Sequence, residues 1–363
     1  MKAIKFSIFL IPVVILLAVV TCKDDMPIQQ ADAPRNIILF IGDGMGVTHV
    51  TSAMLVSGSP LHMVEMPVVG LSKTCSSNRY ATDSAAGGTA IASGVKTKNG
   101  MIGMNHDSIS VESIVEIAAR NGLATGVVST AMITHATPAS FVAHNISRRN
   151  YEEIAVDFVN SKIDLFLGGG LDNFTKRKDS VDLVLKLNEK GFQVVTTPEE
   201  LSRVESGRLA GLFTNKEMPK VQDGRPVSLA ELTKKAIEML SKNDKGFFLM
   251  VEGALIDYAG HDGDAEYLNS EMLDMDQAIG EALHFASQNK ETLVIVTSDH
   301  ETGGMAITGG NPAERKITVA WATTGHTATM VPVFASGPGA TRFGGVMENT
   351  EIFERMVRAL GIK

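Results

Sequence analysis

Residues 246–261 read GFFLMVEGALIDYAGH, and this stretch contains the transition that decides the fold. Its first half is an apolar run up to Val251, whereas its second half carries Asp257 and His261, four residues apart. A short, nearly continuous apolar run indicates a strand that is buried on both faces. Residues four apart share one face of a helix. The stretch is therefore predicted to be a buried strand that leads directly into a helical turn.

The same alternation of strand and helix continues along the chain. Further apolar, β-branched runs are predicted as strands in NIILFIG, ATGVVST, DLFLGGG, FQVVTT, TLVIVTSDH and VPVFASGPG. Helical patterns lie between them in SIVEIAARNG, VDLVLKLNEKG, LAELTKKAIEMLSKN and YLNSEMLDMDQAIGEALHFASQN. Apolar strands that alternate with helices are typical of a parallel sheet covered on both faces. We therefore predict an α/β fold with a doubly wound, mostly parallel central sheet and helices on both faces.

Polar residues stand at or shortly after the ends of several predicted strands. In doubly wound folds ligands bind beyond the carboxyl ends of the strands, so these residues are predicted to converge. Carboxylates and imidazoles are zinc ligands, and two zinc sites would need about this many. The set comprises Asp43, His135, Thr137, Glu252, Asp257, His261, Asp299, His300 and His326. The remaining histidines are predicted to be structural or on the surface, and they are His49, His62, His106, His144 and His284.

Each of these motifs also has an ordinary structural interpretation. Asp257 and His261 could form an ion pair on a helix surface. Asp299 could cap a turn before the glycines that follow it, and Asp43 lies between two glycines, as in a tight turn. The metal hypothesis is favoured because all these residues fall on the ligand-binding side of the predicted sheet.

Ser84, in TDSAAGGTAIASG at residues 82–94, allows two interpretations. A serine before an alanine-rich run is a common helix N-cap, because its oxygen accepts an otherwise unpaired backbone N–H. A serine at this place could instead be a nucleophile, and the N-terminus of a helix favours an anion. This stretch taken alone favours the cap.

Composition narrows the classes of function and fold. The chain has 363 residues and a formal net charge of −8, which argues against a nucleic acid as a specific partner. Hydrophobic residues make up 44% of the chain, enough for a sizeable core. The two cysteines are Cys22 and Cys75. Because Cys22 belongs to a predicted leader, Cys75 is predicted to be a lone thiol in a domain without an internal disulfide.

The N-terminus predicts export. Residues 1–22 contain two lysines, then an apolar run over 6–20, then Cys22, in the outline of a secretory signal with a lipoprotein cleavage site. A plain cleaved signal is the alternative. Residues 23–34 are polar and predicted to be a tether. We therefore expect a periplasmic or cell-surface protein that is lipid-anchored at Cys22 and touches a membrane only through this anchor.

Five motifs in order closely resemble the bacterial alkaline phosphatase family: TDSAAGGTAIASGVKT, ATPASFVAHNISRR, VEGALIDYAGH, SDHETGG and TGHTATMVP. The resemblance implies one catalytic domain over 35–363 that hydrolyses small phosphate monoesters to an alcohol and inorganic phosphate. It implies Ser84 as the nucleophile that becomes phosphorylated. It also implies two zinc ions and one magnesium ion per chain, and a homodimer.

The resemblance further assigns ligands to each metal. The implied sets are Asp257, His261 and His326 for one zinc ion; Asp43, Asp299, His300 and the Ser84 oxygen for the other; and Asp43, Thr137 and Glu252 for magnesium. Oxygen-only ligands suit magnesium. Arg148 is implied as the residue that grips two phosphate oxygens. Asp83 would orient it, and Arg149 is expected on the surface.

Two positions and one segment depart from the best-known members of the family. His135 replaces an aspartate of the enterobacterial enzymes, and Tyr258 replaces a lysine near the phosphate. Both are expected to modulate the third metal site or phosphate release. The surface insertion that longer members carry as a crown is expected to be short here, near 303–325.

Two other classes of function compete with this interpretation. A hydrolase of the same fold could act on phosphodiesters, sulfate esters or phosphonates. Ser84 in DSAA and Arg148 favour monoesters, and the sequence has no CxPxR-type sulfatase signature. A lipoprotein that only binds metal or phosphate would be expected to lack a ligand or the nucleophile, whereas every such position is filled.

Overall fold

The computed structural model describes residues 33–362. The predicted signal, Cys22 and residues 23–32 of the predicted tether lie outside these described residues. Within 33–362, no helix combines the length and the apolar character that crossing a membrane requires.

The strands of the described chain are distributed over its whole length. They are β1 (Asn36–Gly42), β2 (Val68–Lys73), β3 (Ala124–Met132), β4 (Leu165–Gly169), β5 (Phe192–Val195), β6 (Arg208–Leu212), β7 (Phe247–Gly253), β8 (Thr292–Thr297), β9 (Glu301–Thr302), β10 (Met305–Asn311), β11 (Lys316–Trp321), β12 (His326–Thr327), β13 (Val331–Ser336) and β14 (Gly345–Glu348). All seven predicted strands are present. The sequence does not predict β2, β6, β14 or the strands β9 to β12, because their segments lack a continuous apolar run.

Helices connect most of these strands. They are α1 (Val47–Ser57), α2 (Ser84–Ser93), α3 (Ile114–Arg120), α4 (Ala136–Ala139), α5 (Tyr151–Asn160), α6 (Asp172–Thr175), α7 (Leu183–Glu189), α8 (Pro198–Arg203), α9 (Leu229–Leu240), α10 (Leu255–Asp262), α11 (Ala265–Asn289) and α12 (Asn349–Leu360). Several begin at residues that satisfy their free N–H groups. At α9, for example, Ser228 and Glu231 form a reciprocal capping box.

Across residues 33–362, ten strands form one sheet in the order β14-β2-β13-β8-β1-β7-β3-β4-β6-β5. Every neighbouring pair is parallel except the two that involve β13, which runs antiparallel to β2 and β8. The fold is therefore the predicted α/β type, a mostly parallel sheet with helices.

Both faces of the sheet are covered, and β1 shows how. Its side chains alternate between two apolar clusters: Ile37, Leu39 and Ile41 pack on one side, and Ile38 and Phe40 pack on the other. All five are fully buried. Burial of such side chains stabilises the fold by roughly 1.5–3 kcal/mol each. One cluster includes residues of α3, α5 and α12, whereas the other includes residues of α1, α9 and α11.

Two small strand pairs lie beyond the carboxyl end of β8. β10 and β11 form an antiparallel hairpin with several exposed residues. β9 and β12 pair over two residues each, which sets His326 opposite Thr302 and Thr327 opposite Glu301. This short ladder brings the late part of the chain beside the central strands.

Candidate active site

The candidate site lies where the three central strands β8, β1 and β7 end. Their register aligns Ile41 of β1 with Glu252 of β7 and with Thr297 of β8. Asp43 directly follows β1, and Asp299 and His300 follow β8 after Ser298. Adjacent parallel strands that end at one edge bring these side chains together, as the topology of such sheets predicts.

Asp257, His261 and His326 form the first group of metal-type ligands. His261 Nε2 lies 3.3 Å from Asp257 Oδ2 and 3.2 Å from His326 Nε2. The Nδ1 atom of His261 faces the Thr324 carbonyl at 2.5 Å. The Nδ1 atom of His326 faces another carbonyl, that of Thr82, at 2.7 Å.

A carbonyl can only accept a hydrogen bond, so each Nδ1 carries the proton and donates it. In a neutral imidazole the Nε2 atom then bears the lone pair. Two such lone pairs converge beside a carboxylate, which is an arrangement suited to a cation. Without a metal, the hydrogen bond to Asp257 raises the pKa of His261 to about 9. Burial alone would raise the pKa of Asp257, but the hydrogen bond to His261 and the charges of the histidines lower it.

Asp43, Asp299 and His300 form the second group, and all three are completely buried. His300 Nε2 lies 3.3 Å from Asp43 Oδ1 and 3.3 Å from Asp299 Oδ2. Ser84 adjoins this group: its Oγ lies 3.3 Å from His300 Nε2 and 3.4 Å from Asp43 Oδ1. The structure thus places the serine hydroxyl among metal-type ligands.

Ser84 is the first residue of α2 rather than its cap. The N-cap is Asp83, whose Oδ1 accepts the backbone N–H of Ala86 at 3.0 Å. The capping interpretation of Ser84 is therefore wrong, because the neighbouring carboxylate already satisfies the helix. The Ser84 hydroxyl remains free to face the acids and His300, next to the positive end of a ten-residue helix.

Thr302 connects the first group to the second. Its hydroxyl donates to Asp257 Oδ1 at 2.5 Å and lies 3.2 Å from His300 Nδ1. Since its hydrogen is directed at Asp257, its oxygen accepts from His300 Nδ1–H, which leaves the lone pair of His300 on Nε2. Gly44 leaves room for this contact, because a Cβ there would lie 2.7 Å from the Thr302 hydroxyl.

Asp43 and Glu252 belong to a third group, which also includes His135. The Thr137 hydroxyl donates to Asp43 Oδ2 at 3.5 Å, and Ser129 donates to Glu252 Oε2. The other oxygen of Glu252 is buried without a hydrogen-bond partner. Burial is the largest cause that raises the pKa of Glu252, to about 8. Burial and the nearby carboxylates also raise the pKa of Asp43.

His135 is held by Arg148. The Arg148 Nη2 atom lies 3.2 Å from His135 Nε2, and a guanidinium can only donate. The one lone pair of neutral His135 is therefore used by Arg148, and its protonated Nδ1 is buried without a partner. Burial, followed by the charge of Arg148, lowers the pKa of His135 to about 3. The Tyr258 ring lies 6.3 Å from the His135 ring, centroid to centroid.

Arg148 is fixed from its other side by Asp83. Its Nη1 atom donates to Asp83 Oδ2 at 3.1 Å, and its backbone N–H donates to the Gly100 carbonyl at 2.7 Å. Gly100 in turn donates its N–H to the same Asp83 oxygen at 2.9 Å. Asp83 thus caps α2 and orients the guanidinium. Arg149 is exposed, as predicted.

The remaining histidines lie outside the three groups. His106 and His284 are exposed. His144 Nε2 lies 3.0 Å from a Glu116 oxygen. His49 is completely buried and accepts the Gly46 N–H at Nδ1.

Thr302, Ser129 and Glu301 were not identified from the sequence. Only Thr302 and Glu301 had a local signal, since they follow His300 in SDHETGG.

The donor atoms of each group can be compared with the ligands that each metal ion prefers. The first two groups combine imidazole nitrogen with carboxylate oxygen, the donors typical of zinc. In the third group, Asp43, Thr137 and Glu252 provide oxygen only, which suits magnesium, whereas His135 has no lone pair left to give. The unpartnered oxygens of Glu252 and Asp299, both buried, also fit cations. The residues therefore fit metal ions at all three groups.

Comparisons with known proteins agree on one family. The family model described as alkaline phosphatase matches residues 34–317 and 309–362. Alkaline phosphatase 3 of Bacillus subtilis is 33% identical, over 91% of this chain and 89% of its own. A solved alkaline phosphatase from the Antarctic bacterium TAB5 is 44% identical, with a TM-score of 0.88 over 92% of this chain and 99% of that one.

A histidine-to-aspartate variant of the TAB5 enzyme is 43% identical to this chain, with the same TM-score of 0.88 and coverages of 92% and 99%, and contains magnesium in its M3 site. The matches span nearly the whole described structure, and the ligand groups lie at the predicted strand ends. The chain belongs to the alkaline phosphatase family and is a metal-binding hydrolase of phosphate monoesters.

Proposed function

We propose that the chain transfers the phosphoryl group of its substrate to Ser84 and then to water, with two zinc ions and one magnesium ion bound. The observation that carries this proposal is the position of Ser84 Oγ, 3.3 Å from His300 Nε2 and at the start of α2. A hydroxyl among metal ligands and beside a helix N-terminus can be activated as a nucleophile toward an anion.

The proposed ligands follow the three groups. They are Asp257, His261 and His326 for one zinc ion; Asp43, Asp299, His300 and Ser84 for the other; and Asp43, Thr137 and Glu252 for magnesium. When bound, these ions supply Lewis-acid stabilisation of the oxygens on which charge develops. His135 and Tyr258 are proposed to modulate the third site or phosphate release without being ligands.

The side chains then divide the reaction into two displacements. Ser84 Oγ gives its proton to solvent and bonds to phosphorus, while the ester P–O bond breaks and its oxygen leaves with the electron pair, takes a proton from solvent and becomes the alcohol. Water next loses a proton to solvent and bonds to phosphorus, while the Oγ–P bond breaks and Oγ takes up a proton, which releases phosphate and restores the Ser84 hydroxyl. Arg148, held by Asp83 at 3.1 Å, presents donors to the phosphoryl oxygens through both steps. Two in-line displacements give retention of configuration at phosphorus.

Metal content and hydrolysis of p-nitrophenyl phosphate at alkaline pH test the proposal on protein expressed from residue 23. About two zinc ions and one magnesium ion per chain are expected, with activity that a chelator removes and zinc restores. A chiral, isotopically labelled phosphate ester is expected to transfer with retention. Inversion would rule out the Ser84 intermediate. Metal-loaded protein without monoesterase activity would show that the substrate is another kind of ester.

We also propose that the enzyme is exported and lipid-anchored at Cys22, in the periplasm or on the cell surface, and that residues 23–34 tether it. The support is the sequence of residues 1–22, which carries the outline of a lipoprotein signal. Labelling of cells with a radioactive fatty acid is expected to mark the wild type but not C22A. Equal labelling of C22A would contradict the anchor.

Residues 35–363 are proposed to form a single catalytic domain that assembles as a homodimer, with a short crown-like insertion near 303–325. The β10–β11 hairpin occupies most of that segment. Light scattering on the metal-loaded protein is expected to give twice the mass of one chain. A monomer at micromolar concentration would contradict the dimer and leave the catalytic proposal intact.

A further inference from the structure

Glu301 is a buried carboxylate that the proposed reaction does not use. It is 5% exposed, and His49 is the only basic side chain of residues 33–362 within ion-pair distance of it. A buried carboxylate without a lysine or arginine partner is costly unless hydrogen bonds satisfy it. The groups that donate hydrogen bonds to Glu301 are therefore the parts of the chain that this residue holds in place.

One oxygen of Glu301 fixes the turn that follows it. Oε1 accepts the backbone N–H of Gly304 at 2.8 Å and lies within reach of the Met305 N–H at 3.4 Å. The Glu301 side chain is also tightly enclosed, because a Cβ on Gly46 would lie 2.4 Å from its Cγ. Glu301 thus joins the segment after β8 to the turn at the base of the β10–β11 hairpin and to the start of α1.

His49 lies beside the same oxygen without a hydrogen bond to it. Its Nδ1 accepts from the Gly46 N–H at 3.0 Å, so its Nε2 carries the hydrogen, 3.5 Å from Glu301 Oε1. Burial is the largest cause that lowers the pKa of His49, to about 4, and the ring is therefore neutral above that pH. The neutral ring adds no charge opposite Glu301, so the carboxylate is satisfied by the hydrogen bonds that it accepts from Gly304 and Thr327.

The second oxygen of Glu301 acts on the chain beside His326. Oε2 accepts the hydroxyl hydrogen of Thr327, the residue that follows His326 and pairs with Glu301 across the β9–β12 ladder. That ladder is only two residues long, and so short a strand pair is weak on its own. The side-chain bond therefore reinforces this ladder, together with the hydrogen bond from the Gly303 N–H to the Gly325 carbonyl at 2.9 Å.

We propose that Glu301 is a positioning residue, which holds His326 through Thr327 and thereby sets the zinc affinity of the Asp257–His261–His326 group. The inference rests on the proposed role of His326 as a zinc ligand. Residues that orient a metal ligand typically change metal affinity by about 10- to 100-fold when they are removed. Glu301 itself belongs to none of the three groups of metal-type ligands.

Thr327→Val tests the proposal, because valine has the shape of threonine without the hydroxyl. The metal-free protein is titrated with zinc in competition with a chromogenic chelator. We expect one zinc site to weaken about 10- to 100-fold, while the Asp43–Asp299–His300 site keeps its wild-type affinity. Excess zinc should restore kcat without a change in KM. Thr327→Ser keeps the hydroxyl and should restore most of the affinity.

Glu314→Ala serves as the matched control, since Glu314 is an exposed carboxylate at the tip of the same hairpin. It should leave both zinc affinities unchanged. Glu301→Ala should reproduce the loss seen with Thr327→Val. Wild-type affinity at both sites in Thr327→Val would overturn the inference, as would equal weakening of both sites. Wild-type protein that binds no zinc would instead overturn the proposed function.

Discussion

The position of Ser84 allows its chemical role to be tested without disturbing the helix cap. Asp83 caps the helix, so removal of the Ser84 hydroxyl takes away no capping bond. Ser84→Ala is expected to lower kcat by at least about 1000-fold, because the proposed nucleophile is lost, while the other proposed metal ligands remain. Steady-state kinetics with metal analysis and thermal unfolding measure this. Activity close to wild type would exclude the phosphoserine pathway.

Arg148 is expected to act mainly on binding of the phosphoryl group. Arg148→Ala removes donors that are already oriented by Asp83 and His135, and a hydrogen bond to a charged group contributes about 1.5–3 kcal/mol. KM and the inhibition constant of phosphate should therefore rise about 10- to 100-fold, with a smaller fall in kcat. Arg149→Ala, an exposed neighbour, is the control and should change neither. An unchanged phosphate affinity in Arg148→Ala would contradict the role.

Among single residues, the sequence predicts the site residues that lie in ordered motifs. It misses the residues whose contacts form only in the folded protein. Ser84 and Arg148 each lie in a recognisable stretch. Thr302 could not be recognised as a bridge, because its partners Asp257 and His300 meet only in the folded sheet. The stretch taken alone favours Ser84 as the helix cap, whereas Asp83 is the cap, because both residues are good caps and sequence does not locate the first turn to one residue.

At the scale of elements, α2 depends on Asp83 for two different interactions. Asp83→Ala should lower stability by about 1 kcal/mol through loss of the cap and should also raise KM, since Arg148 loses its carboxylate. Asp83→Asn keeps an oxygen for the Ala86 N–H but loses the charge. Its amide NH2 would face the Gly100 N–H and Arg148, which are both donors, so this variant should keep the capping bond and still raise KM. Urea unfolding and kinetics separate the two effects, and equal stability of both variants would contradict the capping role.

The strands differ in how clearly the sequence predicts them. β1, β7 and β8 are buried on both faces, so their long apolar runs identified them. β2 has a mixed burial pattern, and its segment carries no continuous apolar signal. The two-residue ladder between β9 and β12 has no sequence signal, because it forms from residues brought together by the strands on either side.

At the scale of the whole molecule, the acids of the site make the metal-free protein sensitive to pH. Burial raises the pKa of Glu252 from 4.5 to about 8, so its stabilising contribution is complete below about pH 4.5 and is lost as the pH rises through 8. The pKa values of His49 and His135 are lowered to about 4 and about 3. These two residues therefore make stability increase with pH, but only below about pH 6.5.

Between pH 6.5 and 8 the metal-free protein should therefore lose about 2 kcal/mol from Glu252 alone, because one pH unit is worth about 1.4 kcal/mol per proton. The metal-loaded protein should change much less, since the cations neutralise these carboxylates. Thermal unfolding with a chelator, and with zinc and magnesium, compares the two forms. Metal-free protein that is as stable at pH 8 as at pH 6.5 would contradict the prediction.

The architecture was predictable at this scale, but the order of the strands was not. Alternating apolar and helical segments indicated a mostly parallel sheet with helices on both faces, as observed. Nothing in the sequence of β13 distinguishes an antiparallel strand from a parallel one, because a buried strand is apolar on both faces in either direction.

The placement of β1 at the centre of the sheet has a consequence for how the enzyme is made. β1 is the first strand of the described chain, yet its neighbours are β7 and β8, and the proposed metal ligands include His326. A chain that leaves the ribosome or a secretion channel N-terminus first keeps this apolar strand without a neighbour until β7 has followed, and the strand is paired on both edges only once residue 297 has followed. The proposed ligand set is complete only when His326 has followed as well, so the centre of the sheet can close before the proposed site is assembled.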